Sequence, residues 1–394
     1  MWLNTAVGTP RADSAGALLQ LLRDGTPRTR SELAEATGLG RSTIAQRVDA
    51  LVSSTLVGAA GEASSTGGRP PARFAFNPRA RVVLCADVGA THVRLAITDL
   101  AATVLDEEVI DLDVAVGPEK VLTWIADTGK QLVRRAGRRL GDVVAVGIGL
   151  PGPVEFATGR PTSPPIMPGW DGFDVPGFVR STLRTDVVVD NDVNVMALGE
   201  RFLSFPTTDH LMFVKVATGI GCGIISDGAL RRGARGAAGD LGHVQVPGDV
   251  SAVCRCGNVG CLEAVASGAA VARSLRDLGI DATTSRDVVA LARSGSIDAI
   301  RLVREAGRTI GEVLASAVSL LNPSIIVIGG SLAEAGDPLL AGVREVVYQR
   351  SLPLATADLR IVAASSGDRD GVVGASVLAI EHVLAPDAVD AMLA

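Results

Sequence analysis

The stretch GDLGHVQVPGDVSAVCRCGNVGCLE, Gly239 to Glu263, decides how the rest of this chain is read. It carries one imidazole, His243, and three thiols, Cys254, Cys256 and Cys261. Three thiolates and an imidazole match the soft, tetrahedral donor set of Zn²⁺. With four protein ligands no coordination position stays open, so the expected ion is structural rather than catalytic. Gly257 and Gly260 let the short loop between the last two thiols fold tightly enough to converge on one ion. Disulfides are the competing reading. Against them, three of the chain's five cysteines fall within eight residues, and Cys254 and Cys256 sit too close in sequence to bridge without strain.

The same residues resemble the paired signatures of ROK proteins, a group of sugar kinases and sugar-responsive repressors. The pattern there is ExGH followed by CxCGxxGCxE, and here it reads GDLGH and CRCGNVGCLE. Asp240 stands where the pattern has glutamate, one methylene shorter. The resemblance extends over nearly the whole chain.

A chain of 394 residues suggests two or three domains, and its 47% hydrophobic content supplies ample core. Abundant glycine and scarce aromatics suit an α/β architecture. The start, MWLNTAVGTPRAD, lacks a basic segment followed by an apolar run, so no signal peptide is expected. No run of 18 apolar residues predicts a membrane span. Unpaired cysteines beside a thiolate metal set predict the reducing cytoplasm. The net charge of −6 is unevenly spread: residues 1–81 hold ten arginines and six acids, which leaves 27 basic and 37 acidic residues beyond them. A basic head on an acidic body suits a nucleic-acid module joined to a sensor or enzyme.

The head reads as helices. Residues 14–24 predict a first helix with Ala17, Leu18, Leu21 and Leu22 on one face, stopped by Gly25. Thr29 and Glu32 form a capping box for a second helix, which Gly38 closes. A third, RSTIAQRVDALVSS, buries Ile44, Val48 and Leu51 at i, i+4 and i+7. That spacing leaves Arg41, Ser42, Thr43, Gln46 and Arg47 exposed near the helix start, the side chains a recognition helix uses in the major groove of double-stranded DNA. Leu56 to Phe76 predicts a two-stranded wing with the tip GEASSTGGRPP, from which Arg69 could enter a minor groove. A small helical bundle used for protein contacts is the alternative. The head also resembles the winged helix-turn-helix of ROK repressors, down to GGRPP and the following FAFN; ROK kinases lack it.

After a junction at Asn77 to Arg81, the body begins with a strand, a turn and a second strand. Asp87, Gly89 and Thr91 in that turn resemble the first phosphate hairpin of the actin-like sugar kinases, DxGGT, with Ala90 in place of the second glycine. Such turns let backbone amides approach phosphate while an aspartate organises Mg²⁺. A helix is expected from Glu119 to Leu140, then a strand ending in the corner Gly149-Leu150-Pro151-Gly152-Pro153, which matches the loop lining the family's sugar pocket. PIMPGWDGFDV also follows the family pattern, with Trp170 as a packing anchor. Next, VVVDNDVNVMALGE predicts a strand, Asp190-Asn191-Asp192, and a helix from near Asn194. An aspartate at a strand end beside a helix start is placed to take a proton from a hydroxyl. In ROK kinases the position matching Asp192 is the catalytic base and that matching Asn191 binds sugar.

Thr218, Gly219, Gly221 and Gly223 resemble the second phosphate loop, GTGIGxG, with Ala217 again replacing a glycine. Residues 264–320 predict helices, Asn322-Pro323 a stop, and Gly329-Gly330-Ser331 resembles the adenosine-side turn. GVVGASVLAIEHVLA predicts an amphipathic helix returning to the first lobe. No internal repeat is visible.

The fold implied is α/β: an actin-like (ribonuclease H-like, sugar kinase type) two-lobed body behind an N-terminal winged helix-turn-helix. The domains expected are 1–78 for the head, 79–200 with 370–394 for the first lobe, and 201–369 for the second lobe with its zinc loop. Carried over by motif, Gly152, Asn191, Asp192, Asp240, His243 and Glu263 contact a sugar or sugar phosphate. These readings predict a sugar-responsive regulator, a homodimer or homotetramer on an operator. The alternative is an ATP-dependent hexose kinase with an added head, using MgATP and Asp192 as base. The two glycine-to-alanine changes, Ala90 and Ala217, favour the regulator.

Overall fold

The computed structural model describes residues 13–62, 71–248 and 251–394. The chain separates into two compact units, one of residues 1–148, 174–189 and 375–394, the other of residues 149–173 and 190–374.

In the first unit the head forms as its caps dictate. Helix α1 (Ala15–Leu22) starts at Ser14, whose hydroxyl accepts from the Ala17 amide. Helix α2 (Arg30–Thr37) has the complete Thr29/Glu32 capping box and ends on Gly38 in the left-handed region. Helix α3 (Arg41–Ser53) buries Ile44, Val48 and Leu51 completely. Strands β1 (Arg28–Thr29), β2 (Val57–Glu62) and β3 (Ala72–Phe76) make a sheet in the order β1-β3-β2, antiparallel throughout. The expected wing tip, with Arg69, lies outside the described residues.

The buried face of α1 differs from expectation. Leu19 is fully buried while Leu21 is exposed, because α1 is covered on two sides. One side meets α3, and the other meets the C-terminal helix α14 (Pro386–Leu393), where Gly16 packs on the Pro386 backbone. A stripe fitted to one neighbour misses such a helix.

Behind the head, the first body sheet runs β10 (Asp186–Asn191), β7 (Val143–Leu150), β4 (Val82–Val88), β5 (His92–Asp99), β6 (Val104–Asp111). The three consecutive strands β4, β5 and β6 form an antiparallel meander. Helix α4 (Pro118–Arg135) stops short of the expected Leu140, because Gly137 takes φ +67° two residues beyond its end. Helix α5 (Val175–Leu183) follows after Trp170, which is fully buried as expected of an anchor.

The second unit contains helix α6 (Asp192–Ser204) and a sheet ordered β13 (Ala229–Leu230), β12 (Ile220–Ser226), β11 (Leu211–Val216), β14 (Ile325–Gly329), β15 (Arg360–Ala363). Here too a meander of consecutive strands is extended by later ones, β14 and β15, added parallel to β11. The two body sheets therefore share one strand plan, a duplication that no sequence repeat betrays: register and burial fix a strand plan, whereas side-chain identity is free to diverge. Two-residue strands β8 (Val154–Glu155) and β9 (Arg160–Pro161) make a small ribbon.

Helices α7 (Leu262–Ala266), α8 (Gly268–Asp277), α9 (Ser285–Arg293), α10 (Ile297–Leu321), α11 (Asp337–Arg350) and α12 (Pro353–Thr356) complete this unit. Its core gathers Met212, Val214, Leu262, Val303, Ile310, Ile326 and Ile328. Asn322 caps α10 in the left-handed conformation before Pro323, as the sequence predicts.

Helix α13 (Asp370–Val383) departs from expectation. Rather than showing an amphipathic face, all its residues from Asp370 to Glu381 are buried, Glu381 among them. Glycines make this possible. The Gly199 and Gly374 backbones lie against Asp370 and Val195, where any side chain would collide. Among the described residues no single helix is long and apolar enough to cross a membrane.

Candidate ligand site and metal centre

The end of β10 and the start of α6 place three polar residues in a row. Asp190 is 1% exposed and acts as a hub. Its Oδ1 accepts from the Asn191 amide and from Asn194 Nδ2, both at 2.8 Å, and its Oδ2 accepts from Arg232 Nε at 2.6 Å. The Arg232 guanidinium in turn lies 3.7 Å from the centre of the Phe156 ring, a stacked arrangement suited to arginine.

Asn191 is the N-cap of α6: its Oδ1 accepts from the amides of Val193 and Asn194, at 2.9 and 3.3 Å. Its Nδ2 donates to the Gly152 carbonyl at 2.9 Å. One amide thus ties the glycine-proline corner to the helix start, which brings together Gly152 and Asn191 as the motifs predict. The helix begins two residues earlier than expected, at Asp192, because Asn191 supplies the cap. Asp192 itself is 3% exposed and forms an ion pair with Lys215 of β11, Nζ to Oδ2 at 2.6 Å. Neither Lys215 nor Arg232 is singled out by sequence motif.

Glu263, in the first turn of α7, turns back to accept from the Ile220 amide at 3.1 Å. Its carboxylate occupies the space a side chain at Gly219 would need, so any larger residue there must displace the carboxylate. Gly242 packs on the Ile220 carbonyl in the same way, with Glu263 beside it. Asp240 lies next to His243, Oδ1 to Nε2 at 3.9 Å.

His243 uses its two nitrogens in two directions. Nε2 faces Asp240, while Nδ1 lies 3.7 Å from Cys254 Sγ. Cys256 and Cys261 sulfurs are also 3.7 Å apart, and the donor atoms of all four residues lie within 4.8 Å of one another. Zinc–sulfur bonds of about 2.3 Å put two sulfurs of a tetrahedron about 3.8 Å apart, so the Cys256–Cys261 separation already suits that ion, and the four donors together have its chemistry. Bridges Gln245–Cys261 and Val253–Val259 hold the loop, and Gly257 and Gly260 take φ +91° and +77°. The Asn258 amide draws the Cys256 thiol down to about 7, while burial pushes Cys261 up to about 12 and raises Cys254. The cysteines are free of disulfides.

In the turns expected to face nucleotide, several backbone groups are bonded within the protein. In the first, the Gly89 amide donates to the His92 carbonyl at 2.8 Å, and the His92 ring covers Gly89, with Cε1 2.5 Å from where a Cβ would stand. The carbonyls of Ala90 and Thr91 accept from Val114 and Leu112, both at 3.0 Å. Asp87, next to last in β4, pairs in register with Arg94. In the second turn, Thr218 is exposed, the Ala217 amide donates to the Gly219 carbonyl at 2.9 Å, and the Ile220 amide is taken by Glu263. Gly330, φ +85°, passes close over the Val216 carbonyl. Ala90 and Ala217 have ordinary negative φ, since neither is among the non-glycine residues in the left-handed region.

On the head, Arg41, Ser42 and Gln46 are exposed, and Thr43 and Arg47 half-buried, along the outer side of α3. Arg47 Nε donates to the Asp13 carbonyl at 3.2 Å.

Residues 83–382 match the model of the ROK family, and the chain belongs to that family. It is 27% identical over 381 residues to the xylose repressor of Caldicellulosiruptor bescii, across 93% of this chain and 95% of that one. It is also 30% identical to the glucokinase of Halalkalibacterium halodurans, which covers 73% of this chain and 92% of the enzyme. Among solved structures, a ROK family transcriptional regulator homologous to Escherichia coli MLC superposes with a TM-score of 0.83 at 24% identity, over 97% of this chain and 98% of that one. The expected actin-like fold holds.

Proposed function

We propose that this chain is a sugar-responsive transcriptional repressor acting in the cytoplasm. What supports the reading is a helical head with an outward polar α3, joined to a body that keeps the sugar-side motif residues apart from Asp240 in place of glutamate and whose nucleotide-type turns carry Ala90 and Ala217 in place of glycine. The repressor relative matches across the head, whereas the glucokinase relative covers only 73% of the chain. On this reading residues 1–78 bind DNA, 79–200 with 370–394 form one lobe, and 201–369 the other.

Arg41, Ser42, Thr43, Gln46 and Arg47 read an operator in the major groove, with Arg69 reaching the minor groove. Gly152, Asn191, Asp192, Asp240, His243 and Glu263 hold the sugar, each carboxylate accepting from a hydroxyl. Zn²⁺ bound by His243, Cys254, Cys256 and Cys261 supplies no reaction chemistry: it fixes the loop that presents His243 Nε2 and Glu263. A two-fold homodimer matches a two-fold operator. Sugar acts by favouring one of two pre-existing states, so it must bind the state unable to hold DNA more tightly.

The test is a gel-shift titration on upstream DNA of neighbouring sugar-metabolism genes, with and without sugars identified by thermal shift. Sugar-dependent loss of the shifted band is expected. Sugar-dependent ADP formation from MgATP, with no DNA binding, would instead establish the hexose kinase to which the glucokinase likeness points.

A further inference from the structure

Lys215 sits on β11 opposite Gly221 of β12. Gly221 has no side chain, and Val193 of α6 fills the space beside it. This glycine brings β12 against the start of α6 and sets the Lys215 ammonium on the Asp192 carboxylate, with the two side chains 22% and 5% exposed. Among the described residues, Lys215 is the group that engages Asp192 Oδ2.

We infer that Lys215 is a positioning residue: it holds Asp192 as a fixed negative acceptor for a ligand hydroxyl and withdraws it from proton transfer. The inference rests on the sugar-site reading above. A general base must end its step protonated. Protonating Asp192 would discharge the partner of a largely enclosed ammonium and leave that charge uncompensated, a costly state. Accepting a hydrogen bond on Oδ1 costs nothing of this kind, because the carboxylate keeps its charge and its pairing. The pair also brings the local charge of Asp192 to zero, so an uncharged polyol docks without facing an isolated buried anion. Arg232 does the same for Asp190 on the other side of Asn191, at 2.6 Å. The ligand class that fits is therefore a neutral sugar presenting a free hydroxyl at Asp192. Lys215 and Arg232, the cations that meet these aspartates, are already engaged with carboxylates rather than open to a phosphate.

The experiment is calorimetry on the full chain with D-xylose, D-glucose, D-mannose, D-galactose and N-acetyl-D-glucosamine, comparing wild type with Lys215→Met and Lys215→Arg. The sugar that binds wild type should lose about 10- to 100-fold in affinity with Lys215→Met, and regain most of it with Lys215→Arg, which can still pair with Asp192. Wild type with that sugar and MgATP should form no ADP. Unchanged affinity in Lys215→Met overturns the inference, as does sugar-dependent ADP formation by wild type. If Lys215→Met fails to fold, the Lys215→Met/Asp192→Asn double variant removes both charges, and wild-type affinity there overturns it equally. Failure of wild type to bind any of the five sugars defeats the sugar-site reading itself; binding indifferent to Lys215 defeats only this inference.

Discussion

Arg23 and Glu381, 358 positions apart in the chain, form a doubly bonded ion pair inside the first unit, Nη2 to Oε1 at 2.6 Å and Nη1 to Oε2 at 3.4 Å. Their side chains are 1% and 8% exposed. Beside them Gln20 donates to the Leu384 carbonyl at 2.6 Å, and the Gly16 amide to Asp390 at 2.8 Å. The first helix of the head is thus fastened to α13 and α14 by one buried ion pair and two partly buried hydrogen bonds. Arg23→Met should cost about 3–5 kcal/mol in urea unfolding, since it strands a buried carboxylate, and Glu381→Leu added to it should recover much of the loss. A single variant within about 0.5 kcal/mol of wild type, the range of an ordinary surface change, would contradict a structural role for the pair.

Cys256→Ser removes one of four donors whose atoms lie within 4.8 Å. The purified variant should lack stoichiometric zinc by elemental analysis and unfold at lower temperature, because metal binding and loop folding are one equilibrium. A full zinc complement would refute the ligand set.

Arg47→Ala combined with Arg69→Ala should weaken operator binding in gel shifts. The dependence of log affinity on log salt should flatten by about one for each phosphate left without its arginine. Equal affinity and an equal slope would remove this face of α3 from the interface.

Gly219→Ala puts a methyl group where the Glu263 carboxylate lies. Displacing that carboxylate also strips the Ile220 amide of its acceptor. A stability loss of about 1–3 kcal/mol is expected from overpacking, together with weaker sugar binding. Unaltered thermal midpoints with and without sugar would show that the two groups do not meet.

Asp287 caps α9 by accepting from the amides of Thr283 and Thr284, at 2.9 and 2.8 Å, and these bonds hold its carboxyl down at about 2. A depressed folded value means the stabilisation is present above the unfolded carboxylate range, near 4, and is lost as pH falls through about 2. Asp287→Asn should therefore melt below wild type at pH 7, and the difference should shrink as the medium is acidified. A gap constant with pH would argue against ionised capping.

Much of this molecule is legible in the chain because its determinants are local. Thr29 and Glu32 are three residues apart, the cysteines lie within one loop, and Gly38 and Asn322 end helices by their own backbone preferences. What sequence reasoning misses is non-local. Lys215 meets Asp192 across 23 residues and Arg232 meets Asp190 across 42; nothing in the spacing of either lysine or arginine announces a partner on another element. The face of α1 and the full burial of α13 escape it for a related reason. Periodicity reports one packing neighbour, whereas α1 meets α3 and α14 on two sides and α13 is buried all round.

Ala90 and Ala217 sit on ordinary backbone. Neither turn needs its alanine, and neither would be strained by it, so glycine could return at both places for about 0.4–1 kcal/mol of chain entropy each. The alanines of these turns are therefore a matter of side chains alone, and exchanging them for glycine would leave the strands and cores as they are.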